Sequence, residues 1–392
     1  MGDVRATQTM TTSSTTSQHN LLAYQRIVVK AGTNVLTSGG TRLDRTAMAG
    51  IVAQMAAIQA AGTQVILVTS GAIAAGREIL GKSHNTKGVS LGQMLAAIGQ
   101  SRLMHAYQEM FAEHGIVVAQ ALLTHPDVEG RRGYLNVRNT LEALLANGIM
   151  PIVNENDVVD TEEISQERFG DNDTLSALVA NMIDADLLLI LSDVAGLYTA
   201  DPNRDKSATL IERVDEIDTA TMALAEEHHS STTRGGMGSK LRAASLAMST
   251  GVNVVIARGH EPNVLLHVAS GQARGTLFPA SATHVESRKR WLLSGTANSG
   301  GIIVVDEGAA AAIRKQSSSL LPAGIREVAS VFKRGDVVTV ATQDGSRIAV
   351  GITNYDSSEL ASIKGLKSSG ITRLLGHSFG DEAIHRNNMA VL

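Results

Sequence analysis

At 392 residues the chain is too long for one ordinary core, and with 43% hydrophobic and 18% charged residues it reads as a soluble globular protein of two or three domains. The absence of Cys excludes a disulfide framework, a thiolate zinc site and a Cys nucleophile, while 3% aromatics argue against base stacking along the chain and no apolar run of about eighteen residues is present to span a membrane. The net charge of −4 is uneven: residues 284–392 carry 13 Lys and Arg against 10 Asp and Glu, leaving 21 against 28 for the rest, so the C-terminal part is a compositionally different unit.

The first twenty residues, MGDVRATQTMTTSSTTSQHN, lack the continuous apolar core of a secretory signal and read as a disordered tail, which sets the expectation of a cytoplasmic protein. From Ile27 to about Pro279, β-branched runs alternate with helical patterns, the signature of crossover units on a parallel sheet. The runs are IVVK (27–30), VILVTS (65–70), IVVAQALL (116–123), IMPIVNE (149–155), LLLILS (187–192) and VNVVIA (252–257). Several are apolar throughout, as strands covered by helices on both faces should be. Between them, RTAMAGIVAQMAAIQAAG closes on a Gly stop and NTLEALLANG ends in Asn-Gly. The expected architecture is a three-layer α/β/α domain with a mainly parallel sheet over 21–283. After ASATHVESRKRW the texture changes to short strands and Gly turns, read as a linker over 284–297 and a small β-rich domain over 298–378, followed by a C-terminal segment, 379–392. In this small domain GIIVVDEGAAAAI and VFKRGDVVTVATQDGSRIAVGITNY predict β-hairpins around one helix. No internal repeat of twenty to fifty residues is visible.

GREILGKS (76–83) fits the phosphate-loop pattern G-x-x-x-x-G-K-[ST] without mismatch. The mechanism of that loop needs a strand running into the first Gly and a helix starting at the Lys. Here the order is strand, Ser-Gly turn, helix, then Gly-Lys-Ser as the helix exit, so Gly81 reads as a stop and Lys82 as a residue beyond it.

Ligands in open α/β sheets collect beyond the carboxyl ends of the strands, and each strand here ends in something polar. Lys30 precedes Gly32, which lets a phosphate approach the backbone; alone it also reads as a solvated strand-end charge. Ser70-Gly71 opens a helix and offers an anion site or a plain Ser cap. NEND (154–157) and GDND (170–173) are turn-forming clusters that also suit ammonium or metal recognition, and Ser192-Asp193 ends the fifth strand. RGGMGSK (234–240) has the order GREILGKS lacks, a Gly-rich loop and then a Lys at a helix start.

In order along the chain, VVKAGT, VTSGAIAAG, NEND, GDND, LSDVAGLYTADP, GGMGSK and the C-terminal module resemble the glutamate 5-kinases, the γ-glutamyl kinases of proline biosynthesis, from about residue 26 to the C-terminus. The resemblance implies an amino acid kinase domain followed by a PUA domain, and transfer of the γ-phosphoryl group of ATP to the side-chain carboxylate of L-glutamate. It implies ATP and Mg2+ as cofactors, proline as a feedback inhibitor, and a homo-oligomer, dimer or tetramer. By residue match, Lys30 and Lys240 would be the fixed cations at the transferring phosphoryl group, with Asp173 orienting them or holding magnesium. Ser70, Asp157 and Asn172 would bind glutamate. Lys30, Ser192 and Asp193 would bind ATP together with Arg234, Gly235, Gly236, Met237, Gly238, Ser239 and Lys240. No metal ligands are singled out. RNA binding as the main function, known for PUA modules elsewhere, is not expected from a module of net charge +3 with few aromatics. Two departures stand out: VVDTEEISQERF, between NEND and GDND, is longer than the family pattern by about three residues, and Arg234 stands where Thr or Ser is usual.

Overall fold

The runs RIVVKA, QVILVT, MPIVNE and LLLILS form strands buried on both faces, and helices cover both sides of the sheet they make. The computed structural model describes residues 22–81, 89–159, 172–202, 204–227, 236–283, 301–316 and 318–392. In chain order the first unit runs β1 (Arg26–Ala31), α1 (Thr33–Leu36), α2 (Arg45–Ala60), β2 (Gln64–Thr69), α3 (Ala72–Leu80), α4 (Val89–Ala112), β3 (Val118–Leu123), α5 (His125–Glu129), α6 (Arg131–Ala146) and β4 (Met150–Glu155). It continues with α7 (Asn172–Met182), β5 (Leu187–Ser192), α8 (Thr219–Glu227), α9 (Met237–Ser249), β6 (Asn253–Arg258), α10 (Val264–Ala269) and β7 (Thr276–Phe278). The strand order is β3-β4-β2-β1-β5-β6-β7, all parallel except β7, which runs antiparallel to β6.

Strand alternation decides which layer each residue joins. Ile27, Val29 and Ala31 of β1 pack with α2, α4 and α10, whereas Val28 packs with α6, α7 and α9. Lys30 has the parity of Val28 and so faces α7 and α9. The same parity holds in β5, where Leu188 and Ile190 lie in that core and Ser192 follows them. Helices α3 and α4 cross closely enough that a Cβ on Gly76 would overlap the Leu95 carbonyl and one on Gly99 the Ala72 carbonyl. That contact fixes the start of α3 over the end of β2.

The second unit is a five-stranded sheet, β12-β11-β10-β8-β9, made of β8 (Gly301–Val305), β9 (Ile325–Val328), β10 (Val337–Thr342), β11 (Arg347–Ile352) and β12 (Met389–Val391). The Asp344-Gly345 turn closes the β10/β11 hairpin as expected, with Gly345 at φ 85°. Two features differ from the sequence reading. Besides α11 (Glu307–Gln316), the unit contains α12 (Ser357–Ile363) and α13 (Ile371–Leu375), so one helix was too few. Helix α12 starts at a capping box in which Asp356 and Glu359 bond each other's backbone N–H, a pattern hidden among turn residues. Within the segment set apart as 379–392, Met389–Val391 pairs antiparallel with β11, because its apolar residues complete the exposed edge of the sheet.

The two units meet on α6: Leu135 packs against Val337, Val350, Ile352 and Ala390, and the Asn139 amide donates to the Phe379 carbonyl at 3.3 Å. Among the described residues, no helix is long and apolar enough to cross a membrane.

Candidate active site

The carboxyl ends of β1, β2, β4 and β5 open into a cleft lined by Lys30, Gly32, Asn34, Ser70, Gly71, Asn154, Glu155, Asp157, Asn172, Ser192, Asp193 and Lys240. It lies where the connection from β1 to β2, through α2, and that from β5 to β6, through α9, leave on opposite sides of the sheet, the position at which open α/β sheets bind ligands.

At its floor is a group of three charges. Asp173, in the first turn of α7, is fully buried, and Lys30 and Lys240 are only 4% and 7% exposed. Lys30 forms an ion pair with one carboxylate oxygen of Asp173, and Lys240 approaches the other at 3.3 Å. The Ser239 hydroxyl donates to that second oxygen at 2.7 Å. Burial pushes the Asp173 carboxyl up, and the charges of Lys30 and Lys240, with hydrogen bonds from Lys30 and Ser239, more than reverse this and hold it below the usual carboxylate range. The strand-end lysine is therefore not solvated. A Cβ on Gly32 would come within 3.3 Å of Nζ of Lys30, so the small residue leaves that ammonium its place.

Helices deliver the rest. Gly71 is the N-cap of α3 at φ 105°, a left-handed conformation costly for any residue with a Cβ, and it turns the chain sharply from β2 into the helix. The Asn172 amide donates to the Ser70 hydroxyl at 2.9 Å, joining the ends of β2 and α7, while its side-chain oxygen is buried with no partner among the described residues. Across the cleft, Asp193 accepts from Asn34 and from Ser192, both at 3.2 Å. Helix α9 begins with Gly236 as N-cap, and Met237, Gly238, Ser239 and Lys240 form its first turn.

Lys30, Ser70, Asp157, Asn172, Asp173, Ser192, Asp193 and Lys240 are thus gathered around one cleft, with Ser239 behind them. Arg234 and Gly235 lie outside the described residues, as do Gly170 and Asp171 of GDND and residues 160–169 of the longer loop. Several lining residues were not singled out from sequence. Asn34 sits in the short α1, and Asn154 and Glu155 belong to a motif from which only Asp157 was taken. The Asn154 amide donates to Gln100 of α4 at 2.8 Å. No local pattern marks Gln100, because only the tertiary fold brings α4 under β4. GREILGKS ends α3 as expected, with Gly81 as its C-cap at φ 70°, and Lys82 and Ser83 fall outside the described residues.

Among the described residues, no three carboxylate or imidazole side chains cluster to hold a metal. A Mg2+ ion held mainly by substrate phosphates and water takes one or two protein carboxylates at most. Glu155, Asp157 and Asp193 are the carboxylates that line the cleft.

The profile of the amino acid kinase family matches residues 25–258 and that of the PUA domain matches residues 301–375. The chain is 50% identical to a protein named glutamate 5-kinase from Dehalococcoides mccartyi, over 94% of this chain and 99% of that one. A protein of the same name from Herpetosiphon aurantiacus is 48% identical over 93% and 98%, and one from an Enterobacter species 47% identical over 94% and 99%. By sequence profile, architecture and near-full-length identity, the chain belongs to the glutamate 5-kinase branch of the amino acid kinase family, with a PUA domain after the kinase domain.

Proposed function

We propose that this chain transfers the γ-phosphoryl group of ATP to the side-chain carboxylate of L-glutamate, giving L-glutamyl 5-phosphate and ADP, the first step of proline biosynthesis. The observation that carries the reading is the pair of lysines held on both oxygens of one buried carboxylate, at the floor of a cleft where strands end. A carboxylate oxygen of glutamate attacks the γ-phosphorus, and the bond from that phosphorus to the bridging oxygen of ATP breaks. Both reactants are anions and the charge in flight is spread over phosphoryl oxygens, so positioning and fixed cations supply most of the catalysis.

In this reading Lys30 and Lys240 are the cations at the transferring group. Asp173 aligns them, since both its oxygens are engaged by ammonium and hydroxyl groups. Ser70, at the positive end of α3, and Asn172 receive the glutamate carboxylate, while Asp157 receives the ammonium. Ser192, Asp193 and the segment Arg234 to Lys240 hold the nucleotide, whose Mg2+ neutralises phosphate charge. The start of α9 supports this, because its N-cap and first turn present backbone N–H groups beside Lys240. We extend the proposal to a cytoplasmic homo-oligomer inhibited by proline, with the kinase domain over 21–283 and a linker over 284–297.

A coupled assay of ADP formation by the pure protein, with ATP, Mg2+ and a panel of acidic acceptors, tests this. Glutamate should be the best acceptor; the absence of glutamate-dependent ADP, or a better acceptor in the panel, overturns the reading.

A further inference from the structure

Far from the cleft, a second group of charges clamps the opposite ends of the two elements that bring Lys30 and Asp173 together. Helix α7 ends at Met182 in a left-handed turn: Asp184 has φ 51°, its N–H bonds the Asn181 carbonyl at 3.2 Å, and the Ala185 N–H bonds the Ala180 carbonyl at 2.9 Å. This closure satisfies two of the terminal carbonyls and leaves those of Met182 and Ile183 to find other donors. Arginines take both. Arg138 of α6, 2% exposed, donates to the Met182 carbonyl and to the Asp184 carboxylate at 2.8 Å. Arg26, the first residue of β1, donates to the Ile183 carbonyl.

Glu142, one turn beyond Arg138 on α6, joins the two. It takes Arg26 on both carboxylate oxygens, at 2.9 and 3.1 Å, and Arg138 at 3.5 Å. A fork-to-fork pair of this kind fixes orientation as well as charge. Asp186 adds to the closure by accepting the backbone N–H groups of Gln25 and Arg26, each at 2.8 Å. The start of β1 is thus tied to the end of α7. Lys30 lies four residues along β1, about 13 Å away. Asp173 lies near the other end of the 11-residue α7, about 16 Å long. A slide of α7 against β1 at the clamp appears undiminished at the Lys30–Asp173 pair, because a single helix and a strand transmit axial shifts as rods.

We propose that Arg138 and Glu142 are positioning residues for phosphoryl transfer: through α7 and β1 they set the register of Asp173 against Lys30, although neither lines the cleft. This rests on the proposed reaction for its readout, and the two fail separately. A wild-type protein without glutamate-dependent ADP formation refutes the reaction, whereas an active wild type whose clamp variants keep full turnover refutes the clamp.

The test compares kcat, both KM values and the melting temperature of the full chain for Arg138→Met and for Leu145→Ala. Leu145 is buried on the same helix, in the same core, and outside the clamp. A displacement of about 1 Å at reacting groups can cost on the order of a hundredfold, so Arg138→Met should lower kcat by at least about tenfold with both KM values within about threefold. Leu145→Ala should lose comparable thermal stability and keep its kcat. Should Arg138→Met not fold, Glu142→Ala, which leaves both arginines in place, is read by the same criterion. Unchanged kcat in the clamp variant, or an equal loss in Leu145→Ala, overturns the proposal.

Discussion

Replacing Asp173 by Asn separates the charge of the buried group from its shape. The amide keeps the size of the side chain and still accepts from Ser239, but the ammonium groups of Lys30 and Lys240 then face a neutral partner with almost no solvent access. Breaking a buried pair by removing one charge costs about 3–5 kcal/mol, and the open cleft above the lysines favours the lower end. For a kinase domain of this size about 3 kcal/mol corresponds to roughly 6–12 °C in Tm. The folded-state pKa of Asp173 lies below its unfolded value, so the stabilisation is complete above about pH 5 and is lost as pH falls from about 4 through the folded value. The difference between wild type and Asp173→Asn should therefore be constant from pH 7 to about 5 and shrink only in acid. In the proposed reading nucleotide supplies the missing negative charge, so a non-hydrolysable ATP analogue with Mg2+ should raise the Tm of the variant more than that of the wild type. Calorimetry with and without the analogue decides. A nucleotide-free Tm within about 2 °C of wild type would refute the argument, because about 2–4 °C is expected for each kcal/mol lost.

Lys30→Ala and Lys240→Ala should each lower kcat by at least about a hundredfold if these charges act on the transition state, and normal turnover in either removes it from the catalytic set. Lys82→Ala should leave ATP affinity intact, as measured by calorimetric titration, since Gly81 stops α3 before it. Gly71→Ala places a Cβ 3.3 Å from Leu43 in a left-handed backbone, a strain of about 1–2 kcal/mol. It should raise KM for glutamate more than KM for ATP, because the proposed reading puts the start of α3 on the acceptor side of the cleft.

The strands were legible because burial on both faces leaves unbroken apolar runs, and the polar residue ending each run marked the cleft. Alternation within VVK already fixes the layer that Lys30 faces. What sequence does not contain is the path of α7, which returns over β1 and brings residue 173 to residue 30. Helix α4 escaped notice because it packs against both α3 and the sheet, which spreads its apolar residues around the axis and blurs any stripe. Gln100 was lost with it. Arg138 reads in sequence as an ordinary helical arginine; its meaning lies some forty-five residues away, in the Met182 carbonyl that the end of α7 leaves unsatisfied and in the Asp184 carboxylate.

The two charge groups at opposite ends of β1 and α7 differ in balance. In the clamp, Arg26 and Arg138 meet Glu142 and Asp184, with Asp186 on the backbone beside them, so each guanidinium has a carboxylate partner. At the cleft floor two ammonium groups engage one buried carboxylate, and Glu155, Asp157 and Asp193 line the cleft above them. Apolar residues packed in such a place are often the more stable arrangement. A buried group of two cations and one anion gains from an anionic ligand, and the triphosphate of the proposed nucleotide is one. Part of the affinity for nucleotide is then stability that the empty protein forgoes. This is why the same substitution, Asp173→Asn, should weaken the empty fold and enlarge the response to ATP.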